Sequence, residues 1–256
     1  MGGGMGLAQG AKLRIATERT KMAMPETMIG LFPDVGGGYF LSRCQGALGE
    51  YLGLTGQMLN GAEAVFAGLA DALCDSSQLN ALWSKLPLLD WAQPDALKNF
   101  TSTFAQATQT AQGITPPWWS SNLNHAFEAA DLQGITKSLE ATGQNQALEA
   151  LHKRSPLMLA VTLKQIRRAR HMNLSDELRM ERDMVRHSFH PPHLNRTPSQ
   201  SDTVEGIRAL AVDKDHAPHW SPAHIEEVTP EMVTPFFTSP WPAAAHPLQD
   251  LQAPLA

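Results

Sequence analysis

Apolar and polar positions alternate over Leu13-Arg-Ile-Ala-Thr17, the period of a strand. A second short apolar run, Leu69-Ala-Asp-Ala-Leu73, follows Gly68 and also reads as a strand. Around them the pattern predicts short helices at Leu7 to Ala11, Gly49 to Leu54, Gly61 to Ala67, and from Ser76-Ser77 to Lys85. Met22 to Met24 is extended, because the residue before a proline avoids the helical region. From Pro87 onward strand patterns stop. Helices are expected at 94–110, 122–131 and 134–142, then from Ser155-Pro156 to about Arg170, with Leu157, Leu159, Leu163 and Ile166 apolar. Arg167, Arg168 and Arg170 suit the negative end of that helix dipole. Ser175-Asp-Glu opens a further helix to about Ser188, and Thr203 to Val212 forms another that contains Gly206. His190 to Asp202 is a loop rich in proline and serine. The division is therefore a strand-containing part over 1–86, a helical part over 87–240, and a flexible tail over 241–256 rich in proline and alanine.

Composition narrows the function classes. Of 256 residues, 43% are hydrophobic and 18% charged, as in a globular chain. The net charge is −5 and no Lys/Arg block could track phosphates, so nucleic acid is a poor partner. No apolar run has the length of a membrane span. The start shows no charged stretch followed by an apolar core. Cys44 and Cys74 have no metal or redox spacing and read as free thiols in a reducing cytoplasm. His187, His190 and His193 invite a metal reading, but Pro191-Pro192 break any helix between them and the set fits no zinc pattern; no metal is expected. Arginines at 167–170 and 179–186 read as solvated helix faces. No Gly-x-Ser-x-Gly elbow is present.

Candidate chemistry lies in Met24-Pro-Glu-Thr-Met-Ile-Gly-Leu-Phe-Pro-Asp-Val-Gly-Gly-Gly-Tyr-Phe40. Glu26 and Asp34 each follow a proline, and an apolar run separates them. Carboxylates among apolar residues have raised pKa values and serve as bases or nucleophiles. Gly36 to Gly38 follow, and Gly2-Gly3-Gly4-Met5-Gly6 lies upstream. Such clusters bring bare N–H groups close to a ligand, as an oxyanion requires. The competing reading has Asp34 cap a helix from Gly36 to Cys44 and Glu26 make a structural ion pair; both roles are common. The shared apolar segment between glycine clusters favours function.

These motifs, with Ala16-Thr-Glu18, Leu54-Thr-Gly56, Ser155-Pro156 and Glu205-Gly-Ile-Arg-Ala-Leu210, resemble the enoyl-CoA hydratase/isomerase (crotonase) superfamily. Phe32-Pro-Asp-Val-Gly-Gly-Gly-Tyr-Phe40 resembles its thioester-hydrolysing branch of valine breakdown. The resemblance implies an α/β, crotonase-like spiral with a helical C-terminal region, an acyl-CoA substrate, and no cofactor beyond the coenzyme A of that substrate. It leaves room for a homo-oligomer. It implies that Glu26 is the catalytic glutamate, that Asp34 works with it, and that the Gly3 N–H is one oxyanion donor. Hydratases of the family carry a second glutamate where this chain has Gly6, which turns the expectation to hydrolysis. The family also places a long segment before the glycine cluster, with the first strands and the other oxyanion N–H. Met1 matches an internal position, so the chain is expected to lack that region. A hydratase or isomerase, and an inactive remnant or partner-binding module, are the alternatives.

Overall fold

The computed structural model describes residues 1–97, 99–100 and 115–252. Chain contacts divide it into two units, one of Gly3–Ala23 with Met58–Ser120, the other of Met24–Gln57 with Ser121–Ala256.

The first unit holds α1 (Gly3–Gln9), β1 (Ile15–Thr17), α4 (Gly61–Phe66), β2 (Ala72–Cys74) and α5 (Leu79–Lys85). β1 and β2 pair in parallel with Ile15 opposite Ala72, Ala16 opposite Leu73 and Thr17 opposite Cys74. Parallel neighbours need a crossover, and α4 lies against both strands. Ala16, Ala64, Val65 and Ala70 form the small core beneath it. Gly61 is needed there, since a Cβ would stand 2.3 Å from the Thr17 carbonyl oxygen. Asn60 caps α4 by a reciprocal box with Glu63. A bidentate Arg14–Asp71 pair fixes the turn into β2. Both strands lie where alternation predicted them, the second displaced by a few residues.

The second unit is helical. In chain order it contains α2 (Gly37–Leu41), α3 (Leu48–Thr55), α6 (Ser121–Phe127), α7 (Leu132–Ala141), α8 (Asn145–His152), α9 (Pro156–Ala169), α10 (Leu174–Phe189), α11 (Asp202–Ile207) and α12 (Pro230–Val233). α9 is the hub, packing on α2, α3, α7, α8 and α12. Ser155 caps it by accepting from Met158 N–H, and Pro156 occupies the first turn, where no N–H is missed. Leu157, Met158 and Val161 join Leu31, Phe32, Met180, Met184, Val233 and Phe236 in one apolar core. The apolar run between Glu26 and Asp34 is thus anchored in the main core of its unit.

Several expectations change. The expected helix over 94–110 lies mostly outside the described residues. α8 was hidden by its polar composition, and only Ala147 and Leu151 are buried along it. The expected helix over Thr203–Val212 is α11 followed by a π-turn over Arg208–Val212. The tail expected to be flexible is docked over 241–252: His246 is buried against Asp183, Trp241 lies beneath the Arg182 guanidinium, and Arg179 donates to the Leu248 carbonyl. The physical reason is that α10 presents cations on the face that receives these carbonyls and this ring.

Candidate functional site

Glu26 opens a 3₁₀ turn, Glu26–Ile29, that Gly30 closes in the left-handed conformation (φ 65°). Two elements clamp this turn. On one side, Thr27 Oγ1 donates to the Leu54 carbonyl of α3 at 3.2 Å. On the other, Thr203 Oγ1 of α11 donates to the Gly30 carbonyl at 2.6 Å. Gly206 lets α11 approach: a Cβ there would stand 2.3 Å from the Ile29 carbonyl. Ser155 Oγ donates to the buried Asp202 carboxylate, which ties α11 to the start of α9. The Ser155-Pro156 and Glu205-Gly206 motifs therefore place Glu26 without touching it.

The Glu26 side chain is buried, and its Oε2 has no hydrogen-bond partner among the described residues. No ion pair holds it among the described residues, so the structural ion-pair reading fails. Burial pushes its pKa up to about 7, and the charge of Asp34 adds to the rise. Asp34 is half-buried, and burial raises its pKa as well. The capping reading of Asp34 also fails. α2 begins at Gly37 with Gly36 as its cap residue, and no side chain caps it. Asp34 contributes only its backbone carbonyl, which accepts from Gly37 N–H at 3.0 Å.

The glycines after Asp34 are required by space and by backbone. Gly36 has φ 81°, a region L side chains avoid. A Cβ on Gly37 would stand 2.8 Å from Pro33 Cβ. Upstream, Gly2 has φ 58°, and a Cβ on it would be 3.3 Å from Glu26 Oε1. Gly3 is exposed and begins α1, while Gly6 is buried within it.

Three residues next to the Asp34 loop were not picked out in the sequence: Gln165 of α9, and Glu177 and Glu181 of α10. All are buried. Their signal was present, since Glu177 and Glu181 stand four apart on the face that carries Met180 and Met184. Position 177 also lies in the first helical turn, where an acid suits the helix dipole.

Other candidates resolve as structure. Arg167 donates to the carbonyls of Phe127, Ala129 and Ala130, and Arg170 pairs with buried Glu50. Arg167, expected on a solvated face, is instead a clamp at the end of α6, while Arg170 is exposed and ties to α3 through Glu50. The helix does end before the two prolines, at Phe189, so His193 lies off it. Yet His187 and His193 meet edge to face at 5.5 Å, each with its Nε2 on a carbonyl, of Thr238 and Met232. Among the described residues, no group of three His, Cys, Asp or Glu side chains is disposed to hold a metal. Cys44 and Cys74 are buried free thiols. A cavity of about 660 Å³, lined by Leu163, Lys164, Arg168 and Ile225 among others, shares no residue with the carboxylate site.

Comparison with known proteins gives a consistent picture. A family model described as enoyl-CoA hydratase/isomerase matches residues 1–237. The chain is 37% identical over 238 residues to a protein of Gallus gallus named 3-hydroxyisobutyryl-CoA hydrolase, mitochondrial, covering 91% of this chain and 60% of that one. It is 36% identical over 244 residues to 3-hydroxyisobutyryl-CoA hydrolase 1 of Arabidopsis thaliana, covering 93% and 63%. Among solved structures, a carnitinyl-CoA dehydratase from Mycobacterium thermoresistibile matches with a TM-score of 0.71 at 32% identity, covering 93% of this chain and 64% of that one. An enoyl-CoA hydratase from Rhodobacter sphaeroides matches with a TM-score of 0.71 at 31% identity, covering 93% and 65%. The chain thus spans about six tenths of the length of the relatives it matches.

Proposed function

The chain belongs to the enoyl-CoA hydratase/isomerase family, and within it we propose that this protein hydrolyses an acyl-CoA thioester, with 3-hydroxyisobutyryl-CoA as substrate and 3-hydroxyisobutyrate and coenzyme A as products. That is a step of valine catabolism. The observation that carries the reading is Glu26: a buried carboxyl with one unpartnered oxygen and a pKa near neutrality, beside a second carboxyl. A general base works best with a pKa close to the operating pH. The names of the relatives supply the substrate.

In this reading the thioester carbonyl receives the Gly3 N–H as its oxyanion develops. Two routes are open to Glu26. It takes a proton from a water whose oxygen attacks the carbonyl carbon, or it attacks that carbon itself and water then cleaves the anhydride. In both, the C–S bond breaks and coenzyme A leaves as thiolate. Asp34 positions the water or carries its proton. The reaction requires no cofactor, since coenzyme A is part of the substrate. Hydration of an enoyl-CoA is the rival within the family, and Gly6 disfavours it, because a glycine cannot serve as the second acid or base. A cytoplasmic location rests on the two free thiols alone, while the animal relatives' names carry the word mitochondrial.

Glu26→Gln and Asp34→Asn test the reading. Each is expected to lower kcat for thioester hydrolysis by roughly a hundredfold or more, the contribution of a positioned acid or base. Turnover near the unsubstituted rate in both variants would remove the assignment.

A further inference from the structure

The loop that carries Asp34 holds two successive left-handed residues, Val35 (φ 57°) and Gly36 (φ 81°). A β-branched residue in that region is a genuine outlier. It persists only where the surroundings over-determine it. Here they do so from both sides of Asp34-Val35. On one side Gln165 Nε2 donates to the Pro33 carbonyl at 2.9 Å. On the other, the Gly36 N–H donates to both oxygens of Glu181 at 3.0 Å each.

The two anchors are joined to each other. The same Gln165 nitrogen lies 3.3 Å from Glu177 Oε1 and 3.4 Å from Glu181 Oε1. The Glu177 and Glu181 carboxyls act on each other through their charges. Gly38 admits the group: a Cβ there would stand 2.4 Å from Glu177 Oε1. Gln165 and Glu177 have no exposed surface, and Glu181 has 4%. Burial raises the pKa of both carboxyls, and the repulsion between them raises Glu181 further. Arg43, just after α2, and Asp34, in the loop before it, act on the pair by their charges. Glu177 Oε2 and Gln165 Oε1 have no partner among the described residues. A buried polar trio of this kind is poor stabilisation compared with apolar packing. Its position against the Asp34 loop gives it another role.

We propose that Gln165, Glu177 and Glu181 are positioning residues for Asp34: they fix the loop at Pro33 and Gly36 and so set the aim of the Asp34 carboxylate. This rests on the reading of Asp34 as the partner of Glu26 in thioester hydrolysis. The trio acts through Asp34 and takes no part in bond making.

The test compares Glu181→Ala, which removes the acceptor of the Gly36 N–H, with Glu181→Gln, which keeps one. Gln165→Met, which cuts the Pro33 anchor at similar volume, is run in parallel in case Glu181→Ala fails to fold. Each is assayed for thioester hydrolysis alone and in the Asp34→Asn background. Amide hydrogen exchange at Gly36 is followed by NMR. Glu181→Ala and Gln165→Met are expected to lower kcat at least about tenfold, towards the roughly hundredfold that a 1 Å misplacement brings, with KM nearly unchanged. Glu181→Gln should retain most of kcat. In the Asp34→Asn background Glu181→Ala should cost nothing further, because residues acting as one unit are not additive. Gly36 exchange should quicken in Glu181→Ala and stay slow in Glu181→Gln. A full kcat in Glu181→Ala and Gln165→Met while Asp34→Asn is crippled would overturn the inference. So would an additive loss on top of Asp34→Asn, or unchanged Gly36 exchange in Glu181→Ala. An unimpaired Asp34→Asn would instead sink the hydrolase role of Asp34, and Gly36 exchange would then decide alone whether the trio holds the loop.

Discussion

At the scale of single residues, Glu26 shows a conflict between stability and chemistry. A carboxyl whose pKa rises from 4.5 to about 7 on folding binds its proton more tightly in the folded state. Its stabilising contribution is complete below about pH 4.5 and is lost as pH rises through about 7. Above that, the folded protein carries a buried charge with an unpartnered oxygen. Glu26→Gln removes the charge at nearly the same shape. The variant is expected to melt higher than the unsubstituted chain at pH 8 and at nearly the same temperature at pH 5. Each kcal/mol regained should add roughly 2 to 4 °C for a chain of this size. Thermal unfolding at the two pH values checks this. Equal melting temperatures at pH 8 would mean that Glu26 is paired or solvated after all.

At the scale of elements, the site is held by contacts that only glycine permits. α11 reaches the Glu26 turn because Gly206 has no side chain against the Ile29 carbonyl, and Gly30 likewise meets the Asp202 carbonyl at 2.3 Å from an added Cβ. Gly206→Ala must therefore push α11 away or distort the turn. We expect a loss of about 1 to 3 kcal/mol, the usual range for overpacking, together with a fall in kcat, since the turn carries Glu26. Denaturant unfolding and the thioesterase assay read both effects. An alanine variant with unchanged stability would show that the contact is looser than described. Much of this was legible beforehand: Ser155-Pro156 marked a helix start, alternation marked Leu13–Thr17, and the proline–acid pairs marked the candidate site. Other parts were hidden for physical reasons. Glu177 in a first helical turn looks like a dipole partner, and only the packing of α10 against α9 reveals it as buried. The docked tail was unreadable because its partners, Arg179, Arg182 and Asp183, lie far away in sequence.

At the scale of the whole molecule, the central claim concerns reaction type. The chain is a crotonase-family α/β protein, and that family includes hydratases, isomerases and hydrolases of acyl-CoA. In the proposed reading a difference of carboxylates separates them: Glu26 and Asp34 are present, and the family resemblance places Gly6 where a hydratase has its second glutamate. One comparison measures this directly, on the same preparation. Thiol release from 3-hydroxyisobutyryl-CoA is followed with a thiol reagent, and water addition to crotonyl-CoA by loss of its enoyl absorbance. The account predicts thiol release that vanishes in Glu26→Gln, with no appreciable hydration. Hydration faster than thiol release, or thiol release that survives Glu26→Gln undiminished, would contradict it.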